Sequence, residues 1–168
     1  MANQKYLLDK SVAEYAPLTG DRAGQVITAT GVIDLAEITT AATTDAIACL
    51  KLPARHRIID CEVTSESNGS GMTFSVGVID EDVEVAETMD YELITATICG
   101  QAGGMARMGL ASYVTIADVN ALLTGYFDED RLIGIEPENV TDWHTTGKII
   151  VTVSYVAIEG WETLLVGD

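Results

Sequence analysis

Apolar and polar residues alternate along several short stretches of this chain, most clearly in residues 72–79. Met72, Phe74, Val76 and Val78 fall on one face of an extended backbone, because successive side chains of a strand point to opposite sides. The positions between them are mostly polar or small. This pattern predicts a half-buried antiparallel strand.

A second alternating stretch comes just before it, at residues 58–64. Ile59, Cys61 and Val63 share one face there, and the Gly/Ser-rich residues 67–71 lead into the next strand. Two alternating stretches joined by a glycine-containing loop are typical of a β-hairpin. We therefore expect these two strands to pair with each other.

The remaining β-type segments are rich in Val, Ile and Thr, and turn residues separate them. They are residues 26–35, 46–52, 93–99, 131–136 and 148–158. We expect Pro137 to end the fourth of these, since proline cannot donate to a ladder. Residues 148–158 are mostly apolar on both faces, so we expect this strand in the centre of a sheet. Short strands at about ten-residue spacing predict an all-β, antiparallel β-sandwich.

The ends of the chain differ from this β pattern. Residues 1–24 carry scattered apolar side chains and close on a Pro/Gly-containing turn, which predicts an N-terminal arm. Residues 25–158 form the predicted body. Residues 159–168 are apolar beyond the last strand, and we expect this C-terminal tail to add to the sheet or to cover a neighbouring subunit.

Charge divides the chain into two parts. Residues 1–57 are neutral overall, whereas residues 58–168 carry the whole net charge of −17 and contain only three basic residues. Such a balance argues against binding to nucleic acid, which depends on cations that neutralise phosphates. It argues equally against an anionic membrane surface. The N-terminus has no run long enough for a signal peptide, which predicts synthesis in a cytoplasm.

Side chains suited to catalysis are few. Cys49, Cys61 and Cys99 are widely spaced within apolar segments, so we expect buried free thiols. His56 lies among basic residues, which disfavour its protonated form, and His144 lies in a polar segment. No nucleophile elbow or phosphate loop is present. The sequence predicts neither an enzyme nor a cofactor.

Two acidic stretches invite a cation-binding interpretation, because hard cations take clustered carboxylates. They contain Asp80, Glu81, Asp82 and Glu84, and then Asp128, Glu129 and Asp130. Val85 and Tyr91 stand where a helical calcium loop needs glycine and a bidentate glutamate. Solvated acidic loops are the simpler interpretation, and a bound cation stays open.

The densest positive charge of the chain is the run from Lys51 to Arg57, which also contains Arg55. Two interpretations fit it. These side chains pair with carboxylates of the chain itself, or they dock onto an acidic surface of a partner.

In the order of several short motifs, the chain resembles small structural proteins encoded beside the capsid genes of tailed bacteriophages. The motifs are Asp45-Ala46-Ile47, Lys51-Leu52-Pro53-Ala54, Ile58-Ile59-Asp60, Phe74-Ser75-Val76-Gly77, Asp130-Arg131-Leu132-Ile133-Gly134-Ile135 and Lys148-Ile149-Ile150-Val151-Thr152-Val153-Ser154-Tyr155. Such proteins are β-sandwich or jelly-roll units that decorate or cement the head, or serve as head fibres. The resemblance implies a jelly-roll-like sandwich with no active site.

The resemblance also implies a virion protein on the outside of a capsid, bound to the major capsid protein and to other copies of itself. A homo-oligomer is expected, with a trimer as the first hypothesis. The residues expected to contact the capsid or another partner are basic or apolar and lie in the arm, the basic run and the tail. They are Tyr6, Leu7, Leu8, Tyr15, Lys51, Arg55, Arg57, Trp161, Leu164 and Leu165.

An alternative hypothesis is a tail- or fibre-associated module that binds a host-surface glycan. It would use exposed aromatic side chains such as Tyr126, Trp143 or Trp161. A weaker third hypothesis is a carbohydrate-active enzyme, whose paired carboxylates are assembled in space and leave no local motif.

Overall fold

The computed structural model describes residues 5–7, 25–38, 40–43, 45–66, 72–79, 89, 91–94, 103–108, 130–140 and 145–157. Nine strands run through these residues, and one 3-10 helix, Leu35–Glu37, follows the second strand. The strands are β1 (Lys5–Leu7), β2 (Val26–Asp34), β3 (Ala46–Leu52), β4 (His56–Ser65), β5 (Met72–Ile79), β6 (Tyr91–Ile94), β7 (Gly104–Arg107), β8 (Arg131–Val140) and β9 (Lys148–Ala157).

The strands form two sheets that pack face to face. One is five-stranded, in the order β1-β3-β8-β5-β6, and the other is four-stranded, in the order β2-β9-β4-β7. From β2 onward the chain changes sheet at every connection except the one between β5 and β6. Every pairing is antiparallel apart from that of β1 with β3. The predicted antiparallel, jelly-roll-like β-sandwich is therefore confirmed.

The core lies between the two sheets and consists mainly of Ile, Val and Leu side chains. β9 contributes Ile149, Val151, Val153 and Tyr155, which alternate with side chains on the outer face. β9 lies between β2 and β4, so the central position expected for it is confirmed. Burying such aliphatic side chains contributes about 1.5–3 kcal/mol each before entropy is subtracted.

The predicted hairpin of β4 and β5 is wrong. β4 pairs with β9 and β7, whereas β5 pairs with β8 and β6 in the other sheet. Each strand buries its apolar side in the core. The two strands do so from opposite sheets and do not pair edge to edge. The register of β4 also shifts between Ile58 and Asp60, so Ile58 is buried and Ile59 only half-buried.

β8 passes through Pro137 and continues to Val140, contrary to the sequence prediction. β8 pairs with β3 only as far as Ile135, and beyond that residue its neighbour is β5. Pro137 lies opposite Phe74, where the β5–β8 register shifts. At that point the missing N–H of proline costs no ladder bond on the side that β3 has left.

β5 is buried more completely than the half-buried strand predicted for it. Ser75 and Ile79, which alternate with its core residues, are buried as well. Ile79 belongs to a second cluster of buried side chains, completed by Ala46, Ala48 and Leu132. This cluster lies on the side of the five-stranded sheet that faces away from the main core.

Two glycines lie beside a bulge in β3. Cys49 is the extra residue there, since Ala48 pairs with Gly134 and Leu50 with Ile133. A Cβ at Gly134 would collide with the Ile47 carbonyl oxygen and would lie 2.7 Å from Ile79 Cδ1. A Cβ at Gly31, in the opposite sheet, would lie 2.8 Å from Cys49 Sγ. Glycine at both positions lets backbone and bulge approach closely.

Candidate interaction surfaces

The turn between β3 and β4, residues 53–55, is fastened by a carboxylate from a distant part of the chain. Asp130, immediately before β8, accepts a hydrogen bond from the backbone N–H of Ala54 at 2.7 Å. Its other oxygen lies 3.1 Å from Lys51 Nζ. The hydrogen bond with Lys51, helped by that with Ala54, lowers the pKa of Asp130 below its usual range. The carboxylate therefore stays charged and holds the turn against β8.

His56 lies beneath this turn and is fully buried. Its Nδ1 donates a hydrogen bond to the carbonyl oxygen of Pro53. Its ring meets that of Tyr155 edge-on, with centroids 6.0 Å apart. Burial lowers the pKa of His56 to about 4, although the bond to Pro53 opposes the shift. The imidazole is thus neutral near pH 7 and acts as a packed part of the turn.

The three candidate contact residues of the basic run have different surroundings. Lys51 pairs with Asp130 of its own chain, as one of the two interpretations of the run predicted. Arg57 is half-buried at the start of β4. Arg55 is exposed and has a left-handed backbone, with φ 56°. Of the three, Arg55 is presented most openly to a partner.

A surface that sequence reasoning missed is the outer face of the four-stranded sheet, which faces away from the core. The side of this face formed by β2 and β9 carries a ladder of hydroxyl groups. Thr28 Oγ1 lies 3.2 Å from Ser154 Oγ, and Thr30 Oγ1 lies 3.3 Å from Thr152 Oγ1. These four side chains carry no charge, although the chain as a whole carries −17.

Charge on this face is concentrated on β4 and β7. Arg107 donates from Nε to both oxygens of Asp60, at 3.0 and 2.8 Å, and also from Nη2. The hydrogen bond with Asp60 raises the pKa of Arg107 above its usual value. Glu62 lies opposite Arg107 in the register of the two strands. Arg107 neutralises one of the two carboxylates, so this side of the face keeps a small negative charge.

The same face carries the exposed large apolar side chains of the described part of the chain. They are Val26 (63% exposed), Met105 (64%), Val32 (46%) and Ile150 (37%). Val32 is paired with Ile150, and Thr64 lies opposite both Ile150 and Met105, so these four residues form one row across all four strands. Val26 lies at the other end of β2, opposite Val156. The sequence of β2 already indicated an outer face with little charge, because its Val and Thr residues outnumber its charged ones.

The other candidate contact residues lie either in β1 or outside the described residues. The backbone of Tyr6 and Leu7 belongs to β1, which pairs with Ala46–Ala48 of β3 in the same chain. Leu8, Tyr15, Trp161, Leu164 and Leu165 lie outside the described residues, as do the aromatic residues considered for glycan binding. Of the two acidic stretches, only Asp130 is described.

Within the described ranges the reactive side chains serve packing. Cys49 and Cys61 are buried free thiols, as predicted, while Cys99 lies outside the described residues. Burial raises the pKa of Cys49 to about 12 and raises that of Cys61 as well. No group of three His, Cys, Asp or Glu side chains placed to hold a metal occurs among the described residues. Nor do those residues include a helix long and apolar enough to span a membrane.

Comparison with known proteins gives matches of structure only. No family model matches the chain, and no curated protein matches its sequence. A chain in the capsid structure of Ralstonia phage GP4 has 22% identity, with a TM-score of 0.67 over 93% of this chain and 98% of that one. The two chains are therefore similar in length and share a fold.

Two further matches are more distant. A chain of the cyanophage Pam1 capsid asymmetric unit has 21% identity and a TM-score of 0.45, covering 85% of this chain and 91% of that one. A chain of the acid-stable capsid of Helicobacter pylori bacteriophage KHP30 has 12% identity and a TM-score of 0.44, covering 82% and 91%.

Proposed function

We propose that this protein is a non-enzymatic structural component of a phage particle that attaches to the outside of the capsid and stabilises or decorates it. The observation that carries the proposal is the fold shared with a chain of the Ralstonia phage GP4 capsid over almost the full length of both. The chain is thus built as one sandwich of the kind that occurs in a capsid.

The charge of the protein supports an outward position. Surplus carboxylates on an exposed surface keep particles soluble and apart, and cost little stability in contact with water. Some of the described basic residues pair with carboxylates of the same chain: Lys51 pairs with Asp130, and Arg107 pairs with Asp60. An anionic partner such as packaged nucleic acid would find few free cations here.

Contacts with the capsid are assigned to the arm, the tail and the basic run. Arg55 is the member of that run best placed to reach an acidic patch on the major capsid protein. We expect copies of the protein to associate as a homo-oligomer, with a trimer as the order to be tested. The arm would reach these neighbours from β1, at the edge of the five-stranded sheet.

The deciding experiment is quantitative mass spectrometry of density-purified virions from the source lysate. A copy number comparable to that of the shell protein is the expected result for a decoration or cement protein. A few copies per particle would move the protein to the tail or fibres and favour the glycan-binding hypothesis. Absence from virions would overturn the proposal.

The arm is tested by removing residues 1–24 and measuring rebinding to capsids that lack the protein. We expect the body to stay folded by circular dichroism and to lose attachment. A matched control removes only residues 1–4 and so keeps β1. Attachment that survives removal of the whole arm would show that the arm makes no essential contact.

A further inference from the structure

The outer edge of β2 is open in the part of the chain that the structure describes. β2 is the first strand of the four-stranded sheet, and its one described partner is β9. The two strands pair through all nine residues, Val26–Asp34, without a register shift. Long, regular edges of this kind are templates for pairing with another chain, and proteins commonly block them with lysine, proline or a bulge. β2 contains none of these three.

The backbone of β2 shows which of its groups face this edge. Leu35, just beyond the strand, donates its N–H to the carbonyl oxygen of Gly147 at 3.1 Å. In an antiparallel pair, alternate residues direct both backbone groups to the same neighbour. Odd-numbered residues of β2 therefore bond to β9. Even-numbered ones, from Val26 to Val32, direct their N–H and C=O groups outward.

The side chains of the same residues match one another. When two copies of β2 run antiparallel about Ala29, Val26 of one copy lies beside Val32 of the partner subunit. Thr28 then lies beside Thr30 of the partner subunit. The exposed valines cover each other, and the hydroxyl ladder continues across the contact. Asp34, the charged residue of β2, falls outside the paired stretch.

Charge also favours another copy of this chain as the occupant. Two copies that each carry −17 repel each other, so contact requires a surface with little charge of its own. The edge and the adjoining hydroxyl ladder are such a surface, since Thr28, Thr30, Thr152 and Ser154 are all neutral. A contact of this kind is two-fold and isologous, because the same residues lie on both sides.

We propose that two copies of this protein associate through antiparallel pairing of their β2 edges, which joins the two four-stranded sheets into one continuous eight-stranded sheet. The inference rests on the proposed association of copies and not on the location of the protein in a virion. It is compatible with a dimer, and with two trimers joined by such a contact.

The test replaces Thr30 by proline, because Thr30 directs its N–H to the open edge and does not need it for the ladder with β9. The full chain and its variants are compared by light scattering and native mass spectrometry at about 100 μM, since small contacts are weak. We expect Thr30→Pro to lower the measured mass of the assembly to about half, because a two-fold complex would separate into its two halves. The control Thr30→Val keeps the N–H and should keep the mass of the natural chain.

A second variant covers the case in which Thr30→Pro does not fold. Val32→Lys leaves the backbone unchanged and lowers the net negative charge, so weaker assembly would not reflect greater overall repulsion. It should also halve the mass. A natural chain that is monomeric at this concentration, or a mass unchanged in Val32→Lys and in folded Thr30→Pro, would overturn the proposal. Presence in or absence from virions is a separate result and tests the proposed function alone.

Discussion

The two sheets share one core but differ on their outer faces. On the five-stranded sheet, several side chains that point away from the core are themselves buried, namely Ala46, Ala48, Ile79 and Leu132. On the four-stranded sheet the corresponding side chains are Thr, Ser, charged residues and a few apolar ones such as Val32, Ile150 and Met105, and many are exposed. Packing therefore constrains the first sheet on both faces, whereas the second presents one face to solvent or to a partner.

The strand registers differ in the same sense. All three antiparallel pairings of the five-stranded sheet contain a register shift. In the four-stranded sheet, β2 pairs with β9 and β4 pairs with β7 without any, and the one shift lies in the pairing of β4 with β9. Bulges re-aim side chains locally, as a sheet packed on both faces requires. The longest regular pairing, that of β2 with β9, lies where the surface is open, and four predictions test this contrast.

The largest expected effect is at Gly134, in the middle of the five-stranded sheet. In Gly134→Ala the new methyl group would collide with the Ile47 carbonyl oxygen and lie 2.8 Å from Ala48 Cα. Because backbone atoms of a packed strand cannot move aside easily, we expect a loss of about 3 kcal/mol or failure to fold. Urea unfolding measures this. Thr64→Val on the outer face is the control and should change stability by less than about 0.5 kcal/mol. An equally small loss of stability for Gly134→Ala would mean that the backbone of β3 moves aside to make room for the methyl group.

The next effect lies at the turn that carries the chain from one sheet to the other, and it depends on pH. The pKa of His56 is about 4 in the folded protein, against an ordinary value of 6.5. The unfolded chain therefore takes up a proton first, and stability is lost as the pH falls from about 6.5 towards 4. Between pH 7 and 4.5 this loss amounts to about 2 kcal/mol.

His56→Asn isolates this contribution, because asparagine can donate to Pro53 but does not titrate. Unfolding free energies at pH 7 and 4.5 should fall by about 2 kcal/mol more in the natural chain than in the variant. The difference between the two proteins removes the general effect of protonating carboxylates, which relieves repulsion in both. Equal pH dependence in the two proteins would show that His56 is protonated without cost in the fold.

The sequence predicts the strands well because their alternation reports burial directly. β3 has the bounds expected for it, and β9 has the expected central position, although its outer face carries the hydroxyls of Thr152 and Ser154. Alternation does not say which strand pairs with which, so β4 and β5 looked like a hairpin although they lie in different sheets. The prediction that Pro137 ends β8 was wrong for a related reason. Whether a strand can contain proline depends on where its neighbour ends, here β3.

The candidate surfaces were predicted less well, since they depend on residues far apart in the chain. Asp130 meets Ala54 across 76 positions, and no local pattern announces that contact. The row of Val32, Ile150 and Met105 likewise brings together three strands that only the topology makes neighbours. The basic run was visible in the sequence, but which of its members stays accessible was not.

A smaller effect is expected for the ion pair that fastens the turn to the five-stranded sheet. Asp130→Asn keeps an acceptor for the Ala54 N–H but removes the charge that pairs with Lys51. Because the pair is partly exposed, we expect a loss of no more than about 1 kcal/mol. The double-mutant cycle with Lys51→Met measures the pair itself by urea unfolding. A coupling energy near zero would show that Asp130 acts through Ala54 alone.

The smallest effect is expected on the outer face of the four-stranded sheet, where the Thr30–Thr152 hydroxyl contact is exposed. Thr30→Val combined with Thr152→Val keeps both β-branched shapes, so we expect the unfolding free energy to change by less than about 0.5 kcal/mol. Ser75→Ala is the matched variant in the other sheet, because it removes a hydroxyl without adding volume. Ser75 is buried and its hydroxyl donates to Glu138 at 3.1 Å, so we expect its loss to cost about 1–2 kcal/mol. Equal costs at the two sites would mean that the outer faces are equally constrained. A neutral double variant beside a destabilised Ser75→Ala would show that fold stability does not require the hydroxyls on the outer face of the four-stranded sheet, which leaves that face free to be shaped by what it contacts.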